Sequence, residues 1–194
     1  MLEDKFVVIN DAKIHYIEDG NGTPFIFCHG ARFNSRTYEE TDTIQTVVDS
    51  GFHAISLDFP GYGKSENLSI DMYTFLANFV DILHLPPVVI LGASMGGEAV
   101  TGFATKYPDK VKGLVLVGAV GVSEFESNLS KLEGKPMLLL WGKSDAISAP
   151  DNYELLMRYN SVAQFYNIGR QHACYLDDPK GFNEKIKEFL AKLK

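Results

Sequence analysis

Short apolar runs recur along the chain, separated by stretches of helical length, and this alternation leaves few folds open to the chain. The runs lie at residues 24–28, 53–57, 87–91, 113–117, 135–141 and 163–168. Continuously apolar runs of this length are typical of strands that are buried on both faces of a sheet. We therefore predict an α/β fold, in which helices cover both faces of a mostly parallel sheet.

The segments between these runs predict the remaining elements. Amphipathic patterns indicate helices at residues 37–50, 70–84, 95–107, 150–160 and 179–193. Residues 5–18 alternate apolar and polar positions around Asn10-Asp11, which predicts a hairpin at the sheet edge. Segment 118–134 has no clear period. No repeat, linker or low-complexity tract divides the chain, so we predict one domain over residues 1–194.

Charge and cysteine usage argue against several classes of partner. The 18 basic and 25 acidic residues give a net charge of −7 without a basic cluster, so we expect neither nucleic acid nor an anionic membrane as a partner. The longest apolar run, 111–122, is too short to cross a bilayer. Two cysteines and an acidic N-terminus predict a cytoplasmic location. No feature indicates an obligate protein partner.

A candidate nucleophile lies in the segment Gly92-Ala-Ser94-Met-Gly96, which follows an apolar run and precedes a helical pattern. A G-x-S-x-G motif in this context predicts a sharp strand-to-helix turn with Ser94 at its tip, where Gly92 and Gly96 avoid clashes. Ser94 would then project from the carboxyl edge of the sheet, beside a helix N-terminus. In the alternative interpretation, Ser94 is only the N-cap of that helix.

A serine nucleophile needs a base, and the position of each of the five histidines favours His172. His15 lies in the hairpin, His53 begins a strand and His84 ends a helix, so we expect structural roles for these three. His29 ends a strand at the appropriate edge, but we expect it to pack its own loop. His172 lies in the loop between the last strand and the last helix, where its imidazole could reach a serine.

The acid that orients this base should end a strand between the serine and the histidine. Asp145 fits, because it follows the apolar run 137–141 closely. Asp58 also follows a strand and is the main rival, although its loop predicts an aspartate that braces local backbone donors. Asp177 and Asp178 are weaker candidates, since we expect them to cap the last helix.

Acyl transfer also needs backbone N–H groups that face the developing oxyanion. Met95 N–H, next to the nucleophile, is one predicted donor. The loop after the strand at 24–28 supplies the other, for which we favour Ala31 N–H with Arg32 N–H as the alternative. The Arg32 side chain could pair with a carboxylate or phosphate of the substrate, or with a neighbouring acid.

Together, His29-Gly30, Asp58-x-Pro-Gly-Tyr-Gly-x-Ser65, the Ser94 motif, Asp145 and His172 resemble the α/β-hydrolase superfamily, in order and over nearly the whole chain. Residues 29–35 and 172–179 are similar to the small hydrolases of the α/β-hydrolase-domain-14, or CIB-like, group. The resemblance implies Ser94 as nucleophile, His172 as base and Asp145 as orienting acid, with Ala31 and Met95 as oxyanion donors. One departure is Gln171, where the superfamily usually has glycine before the histidine.

The superfamily usually carries a cap between the strands that end near Val117 and begin near Pro136. Only residues 118–135 intervene here, which is enough for a connecting helix but not for a lid. We therefore expect an open site that accepts short acyl groups, or acyl groups carried on a bulky partner.

The leading functional hypothesis is a serine carboxylesterase that acts on a small acyl ester and needs no metal or cofactor. A second hypothesis is an acyltransferase or deacylase, in which a thiol such as coenzyme A replaces water as the acyl acceptor. A third is a ligand sensor that keeps the fold with little turnover.

Overall fold

The computed structural model describes residues 1–193 and contains one eight-stranded sheet with helices on both faces. The strands are β1 (Lys5–Ile9), β2 (Ala12–Asp19), β3 (Thr23–Cys28), β4 (Phe52–Leu57), β5 (Val88–Ala93), β6 (Val111–Val117), β7 (Met137–Trp141) and β8 (Gln164–Asn167). The helices are α1 (Thr37–Glu40), α2 (Thr43–Asp49), α3 (Met72–Ile82), α4 (Met95–Lys106), α5 (Pro150–Tyr159), α6 (Cys174–Asp177) and α7 (Pro179–Ala191). Two segments form 3₁₀ helix, Pro108–Lys110 and Val122–Leu132.

The sheet has the order β1-β2-β4-β3-β5-β6-β7-β8. Strand β2 pairs antiparallel with β1 and with β4, whereas all pairs from β4 through β8 are parallel. The predicted edge hairpin and the predicted, mostly parallel α/β sheet are both confirmed. Because parallel strands end at the same edge, the loops that follow β3, β5, β7 and β8 meet there.

Two apolar layers hold the helices against the sheet. One layer packs α3, α4, α5 and the segment Val122–Leu132 against one face, with side chains such as Ile26, Ile90 and Leu139. The other packs α1, α2, α6 and α7 against the opposite face, where Phe27 and Leu140 lie. Successive strand residues therefore point into different layers, which is why the runs are apolar throughout.

The prediction of one helix over residues 37–50 is wrong, because the chain forms α1 and α2 with a break between them. Asp42 at the break has a left-handed φ of 60°. The hydroxyl of Thr43 donates to Asn183 on α7 at 2.7 Å, and the Asn183 amide donates to the Thr41 carbonyl at 2.8 Å. Threonine and aspartate are weak helix formers, so these contacts with α7 outweigh continuation of the helix.

The structure adds detail to the sequence predictions for two other regions, strand β8 and the segment between β6 and β7. Strand β8 is only half-buried, since it forms the edge of the sheet and is not covered like the central strands. The segment between β6 and β7 contains only the 3₁₀ helix Val122–Leu132, so residues 1–193 include no separate cap domain, as expected. No helix in that range combines the length and the apolar character that crossing a membrane requires.

Candidate active site

Ser94 lies at the turn between β5 and α4 in a conformation that non-glycine residues rarely adopt, with φ 52° and ψ −114°. The neighbouring strand β6 holds this turn in place, because Ser94 N–H donates to the carbonyl of its last residue, Val117, at 2.9 Å. Strained backbone of this kind is typical of functional sites whose surroundings enforce it. The side chain is half-buried, as expected for the tip of a nucleophile elbow.

The glycines of the motif make this turn possible. A Cβ atom at Gly92 would overlap the carbonyl oxygen of Gly96, and one at Gly96 would overlap the carbonyl oxygen of Cys28. Backbone atoms cannot move aside as a flexible side chain can. The close approach of β3, β5 and α4 therefore requires glycine at both positions.

We expect Gly96→Ala to lower the free energy of unfolding by about 1–3 kcal/mol, because the added methyl group must displace the backbone of β3. Urea unfolding followed by circular dichroism measures this change. Gly113→Ala is the matched control, since a Cβ there would first meet the flexible Leu193 side chain at 3.4 Å, an ordinary contact. Equal unfolding free energies for the two variants would contradict this account of the turn.

His172 and Asp145 form a hydrogen-bonded pair at the same edge of the sheet. The Nδ1 atom of His172 lies 2.8 Å from Oδ2 of Asp145, whose carboxyl side chain is only 2% exposed. The other carboxylate oxygen, Oδ1, accepts from the N–H groups of Ile147 at 2.8 Å and Ser148 at 2.9 Å. An ionised carboxylate only accepts, so Nδ1 carries the proton and Nε2 is left as a proton acceptor.

Backbone contacts between the Asp145 loop and the His172 loop hold this pair together. Lys143 N–H donates to the Gly169 carbonyl at 3.1 Å, and Ser144 N–H donates to the Arg170 carbonyl at 2.8 Å. Gly142 permits this approach, since a Cβ there would overlap the carbonyl oxygen of Gln171. The residue that departs from the superfamily pattern, Gln171, therefore contributes its backbone to the contact.

Gly118 and Asp177 also support the pair, in roles that the sequence did not predict. A Cβ at Gly118, whose φ is 49°, would lie 3.0 Å from Asp145 Oδ2 and 3.1 Å from His172 Nδ1. The carboxylate of Asp177 accepts from the N–H groups of Arg170 and Gln171. The predicted helix cap is thus wrong for Asp177, which braces the histidine loop, whereas Asp178 caps α7 by accepting from Gly181 N–H at 2.9 Å.

The rival acid, Asp58, lies in a different cluster. Its carboxylate contacts Nδ1 of the buried His15 at 2.7 Å and accepts from the N–H groups of Ser35 at 2.7 Å and Lys64 at 3.0 Å. The Nε2 atom of His15 contacts Asp4 at 2.7 Å. Asp58 therefore braces backbone donors, as its loop predicts, and the structure pairs His172 with Asp145 instead.

The loop after β3 carries the predicted oxyanion donor Ala31 and begins against Ser94. A Cβ at Gly30 would lie 3.5 Å from Cβ of Ser94. Neither Ala31 N–H nor Met95 N–H donates to another group in residues 1–193, and Met95 begins α4, where an N–H has no intrahelical acceptor. Both predicted donors are thus free, while the side chain of Met95 contacts the Tyr62 hydroxyl.

His29 fixes the conformation of this loop, as predicted. Its Nδ1 atom lies 2.7 Å from the carbonyl oxygen of Gly30, and its Nε2 atom accepts from Phe59 N–H at 3.0 Å. These partners require a neutral ring with the proton on Nδ1. Burial also lowers the pKa of His29, which favours that neutral form.

A cavity of about 190 Å³ brings together four of the six predicted site residues, whereas Asp145 and Met95 do not line it. Its lining combines Ser94 and His172 with Ala31, Arg32 and a mostly apolar wall: Gly30, Phe33, Ala93, Val117, Ile147 and Tyr175. Cys174 lies two residues from His172 but does not line it, and burial raises the pKa of its thiol to about 12. The cavity therefore offers a hydroxyl, an imidazole with a free Nε2 and an adjoining unbonded amide.

Comparison with known proteins gives matches in family, sequence and structure. The family model described as the alpha/beta hydrolase fold matches residues 23–132. The chain is 28% identical to the protein ABHD14A of Danio rerio over 176 residues, which cover 87% of this chain and 64% of that protein. It thus spans less than two thirds of that relative's length.

The human protein ABHD14B, named as a candidate protein-lysine deacylase, is 26% identical over 172 residues. This match covers 85% of the present chain and 81% of the human protein. Among solved structures, a protein described as a CIB-like hydrolase from Thermoplasma acidophilum superposes with a TM-score of 0.92. That match is 23% identical and covers 99% of both chains, so it shows a shared fold.

Proposed function

The chain belongs to the alpha/beta hydrolase fold family, and we propose that it is a serine hydrolase of the carboxylesterase type. The observation that carries the proposal is one cavity lined both by Ser94, at a strained turn, and by His172, which is hydrogen-bonded to Asp145. The similarity to ABHD14 proteins agrees with the group that the sequence resembles, and a structure of the same fold is described as a CIB-like hydrolase.

In the proposed mechanism, the first half-reaction forms an acyl-enzyme. Nε2 of His172 takes the hydroxyl proton of Ser94 as its Oγ attacks the ester carbonyl carbon, and Asp145 stabilises the resulting imidazolium. The carbonyl oxygen becomes negative and accepts hydrogen bonds from Ala31 N–H and Met95 N–H. The tetrahedral intermediate then collapses, the C–O bond to the alcohol breaks, and His172 returns the proton to the leaving alcohol.

The second half-reaction reverses these roles. Nε2 of His172 takes a proton from a water molecule, whose oxygen attacks the acyl carbon. The same two N–H groups stabilise the second oxyanion. Collapse releases the carboxylic acid and restores the Ser94 hydroxyl with the proton from His172, so no metal or cofactor takes part.

The size of the cavity supports a short acyl group. Its volume of about 190 Å³ lies below the roughly 300–1,000 Å³ of pockets that bind drug-sized ligands. The apolar side chains of Phe33, Val117 and Ile147 suit a hydrocarbon chain. Because no cap domain covers the site, a bulky leaving group can remain outside while a short acyl group enters.

A series of p-nitrophenyl esters from acetyl to octanoyl tests the proposed function. We expect kcat/KM to be highest for the short chains and to fall by about tenfold or more at octanoyl, because the cavity cannot enclose the longer chain. Release of p-nitrophenol is measured at fixed enzyme concentration, and the enzyme-free rate is subtracted. Rates equal to the enzyme-free rate along the whole series would overturn the proposal.

Acyl transfer to a thiol is the second candidate, because the human relative ABHD14B is named as a candidate protein-lysine deacylase and the open site leaves room for a bulky acyl donor. The same three side chains serve both reactions, since a thiol replaces water in the second half-reaction. Product analysis with and without coenzyme A separates them. Turnover that depends strictly on the thiol would favour the transferase.

The predicted cytoplasmic location and the predicted absence of nucleic-acid, membrane and obligate protein partners form part of the same proposal. Both cysteines, Cys28 and Cys174, are free and buried, which agrees with a reducing compartment.

A further inference from the structure

Arg32 lies where it can contact a substrate bound at Ser94. It directly follows Ala31 in a tight turn, which Phe33 N–H closes by donating to the Gly30 carbonyl at 3.1 Å. Arg32 lines the same cavity as Ser94 and His172. The turn that places Ala31 along the cavity thus also places Arg32 there.

The guanidinium of Arg32 is not neutralised within the chain. It is exposed and forms no hydrogen bond or ion pair with any other residue of the range 1–193. The neighbouring Arg36 differs, since its guanidinium binds Asp4, Glu39 and the Leu2 carbonyl at 2.6–2.7 Å. The ion pair with a nearby acid that the sequence left open for Arg32 is therefore absent from the described part of the chain.

No carboxylate of the site competes for this charge. None of the residues that line the cavity is an aspartate or glutamate, and both oxygens of Asp145 are occupied by His172 and by backbone N–H groups. Apart from Arg32, the wall is mostly apolar. In a chain with a net charge of −7, Arg32 is thus the one permanently cationic residue among those that line the cavity.

A guanidinium offers five donors in a planar fork that matches a carboxylate or phosphate. We propose that Arg32 selects esters that carry such an anionic group within reach of the scissile carbonyl. This inference rests on the proposed function, and it names the substrate class of that same site. The apolar wall binds the hydrocarbon part of the substrate, and Arg32 binds its anion.

Two pairs of esters test the proposal in the wild type, Arg32→Gln and Arg32→Lys. Mono-p-nitrophenyl glutarate and p-nitrophenyl valerate differ in a carboxylate on the acyl side. Acetoxybenzoate and its methyl ester differ in a carboxylate on the leaving group. The measured quantity is the ratio of kcat/KM for the anionic ester to kcat/KM for its neutral partner.

We expect Arg32→Gln to lower this ratio about tenfold for one of the pairs, which also identifies the side that carries the anion. The effect should stay near tenfold because Arg32 is exposed and solvent screens its charge. Arg32→Lys should keep part of the ratio, since it preserves the charge but not the fork. Arg158→Gln is the control, as Arg158 is exposed on α5 and does not line the cavity.

Calorimetric titration with glutarate adds a measurement that needs no turnover. Weaker binding to Arg32→Gln than to the wild type and to Arg158→Gln supports the proposal. Equal affinities together with equal ester ratios overturn it. If the wild type hydrolyses no ester, the proposed function fails, and the titration alone decides the role of Arg32.

Discussion

Replacing Ser94 with alanine is expected to lower kcat for p-nitrophenyl acetate by on the order of 10⁴- to 10⁶-fold. The substitution removes the oxygen that forms the acyl-enzyme, while His172, Asp145 and the two free N–H groups remain. Because alanine keeps the Cβ atom, the packing of the turn against Gly30 is preserved. Steady-state kinetics on purified wild type and variant measure the loss.

Ser127→Ala provides a matched control, because Ser127 is exposed in the 3₁₀ segment and does not line the cavity. We expect it to keep the wild-type kcat. Thermal unfolding of all three proteins verifies that they are folded. If Ser94→Ala retained the kcat of the Ser127→Ala protein, hydrolysis would proceed without the proposed nucleophile.

Asp145→Asn is expected to lower kcat by about 10⁴-fold. Its Oδ1 can still accept from Ile147 and Ser148, so the loop geometry should persist. In the variant, however, the amide nitrogen of Asn replaces Oδ2. This nitrogen donates a hydrogen bond to His172, whereas Oδ2 accepts one in the wild type. His172 must then carry its proton on Nε2, and it cannot take the proton of Ser94.

Asp81→Asn is the control for this substitution, since Asp81 forms an exposed ion pair with Lys110 at 2.7 Å, outside the site. We expect a change of less than about twofold in its kcat. Kinetics with p-nitrophenyl acetate measure both variants under identical conditions. A folded Asp145→Asn protein within tenfold of the wild-type kcat would show that this carboxylate does not orient the base.

The fold can be predicted well from the sequence, because a strand that is buried on both faces can be recognised from its local composition. Buried parallel strands must be apolar on both faces, so the runs at β3 to β7 stand out directly. The elbow at Ser94 is also local, since the steric need for Gly92 and Gly96 arises within one turn and its immediate neighbours. Such features can be recognised without knowledge of distant contacts.

Features that depend on contacts between distant segments could not be predicted. The break between α1 and α2 depends on Asn183, which is more than 100 positions away in the chain. Asp177 has the local pattern of a helix cap, and only its contact with the Arg170 amide reveals its role in the histidine loop. The free guanidinium of Arg32 likewise depends on which acids lie near it in three dimensions.

The choice between Asp58 and Asp145 as the orienting acid also depends on contacts between distant segments. Both follow strands that end at the same edge of the sheet, so position alone left Asp58 as a rival. The structure distinguishes them through their histidine partners, because Asp58 contacts the buried His15 whereas Asp145 contacts His172. The topology limits the candidate acids to residues at this edge of the sheet. Only the packed structure shows that Asp145 is the partner of His172.

Covalent labelling with a fluorophosphonate shows whether Ser94 is an activated nucleophile. We expect intact-mass spectrometry to find one adduct on the wild type and peptide mapping to place it on Ser94. Ser94→Ala should remain unlabelled under the same conditions, whereas Ser127→Ala should be labelled like the wild type. An unlabelled but folded wild type, or an adduct on another residue, would show that Ser94 is not the activated nucleophile.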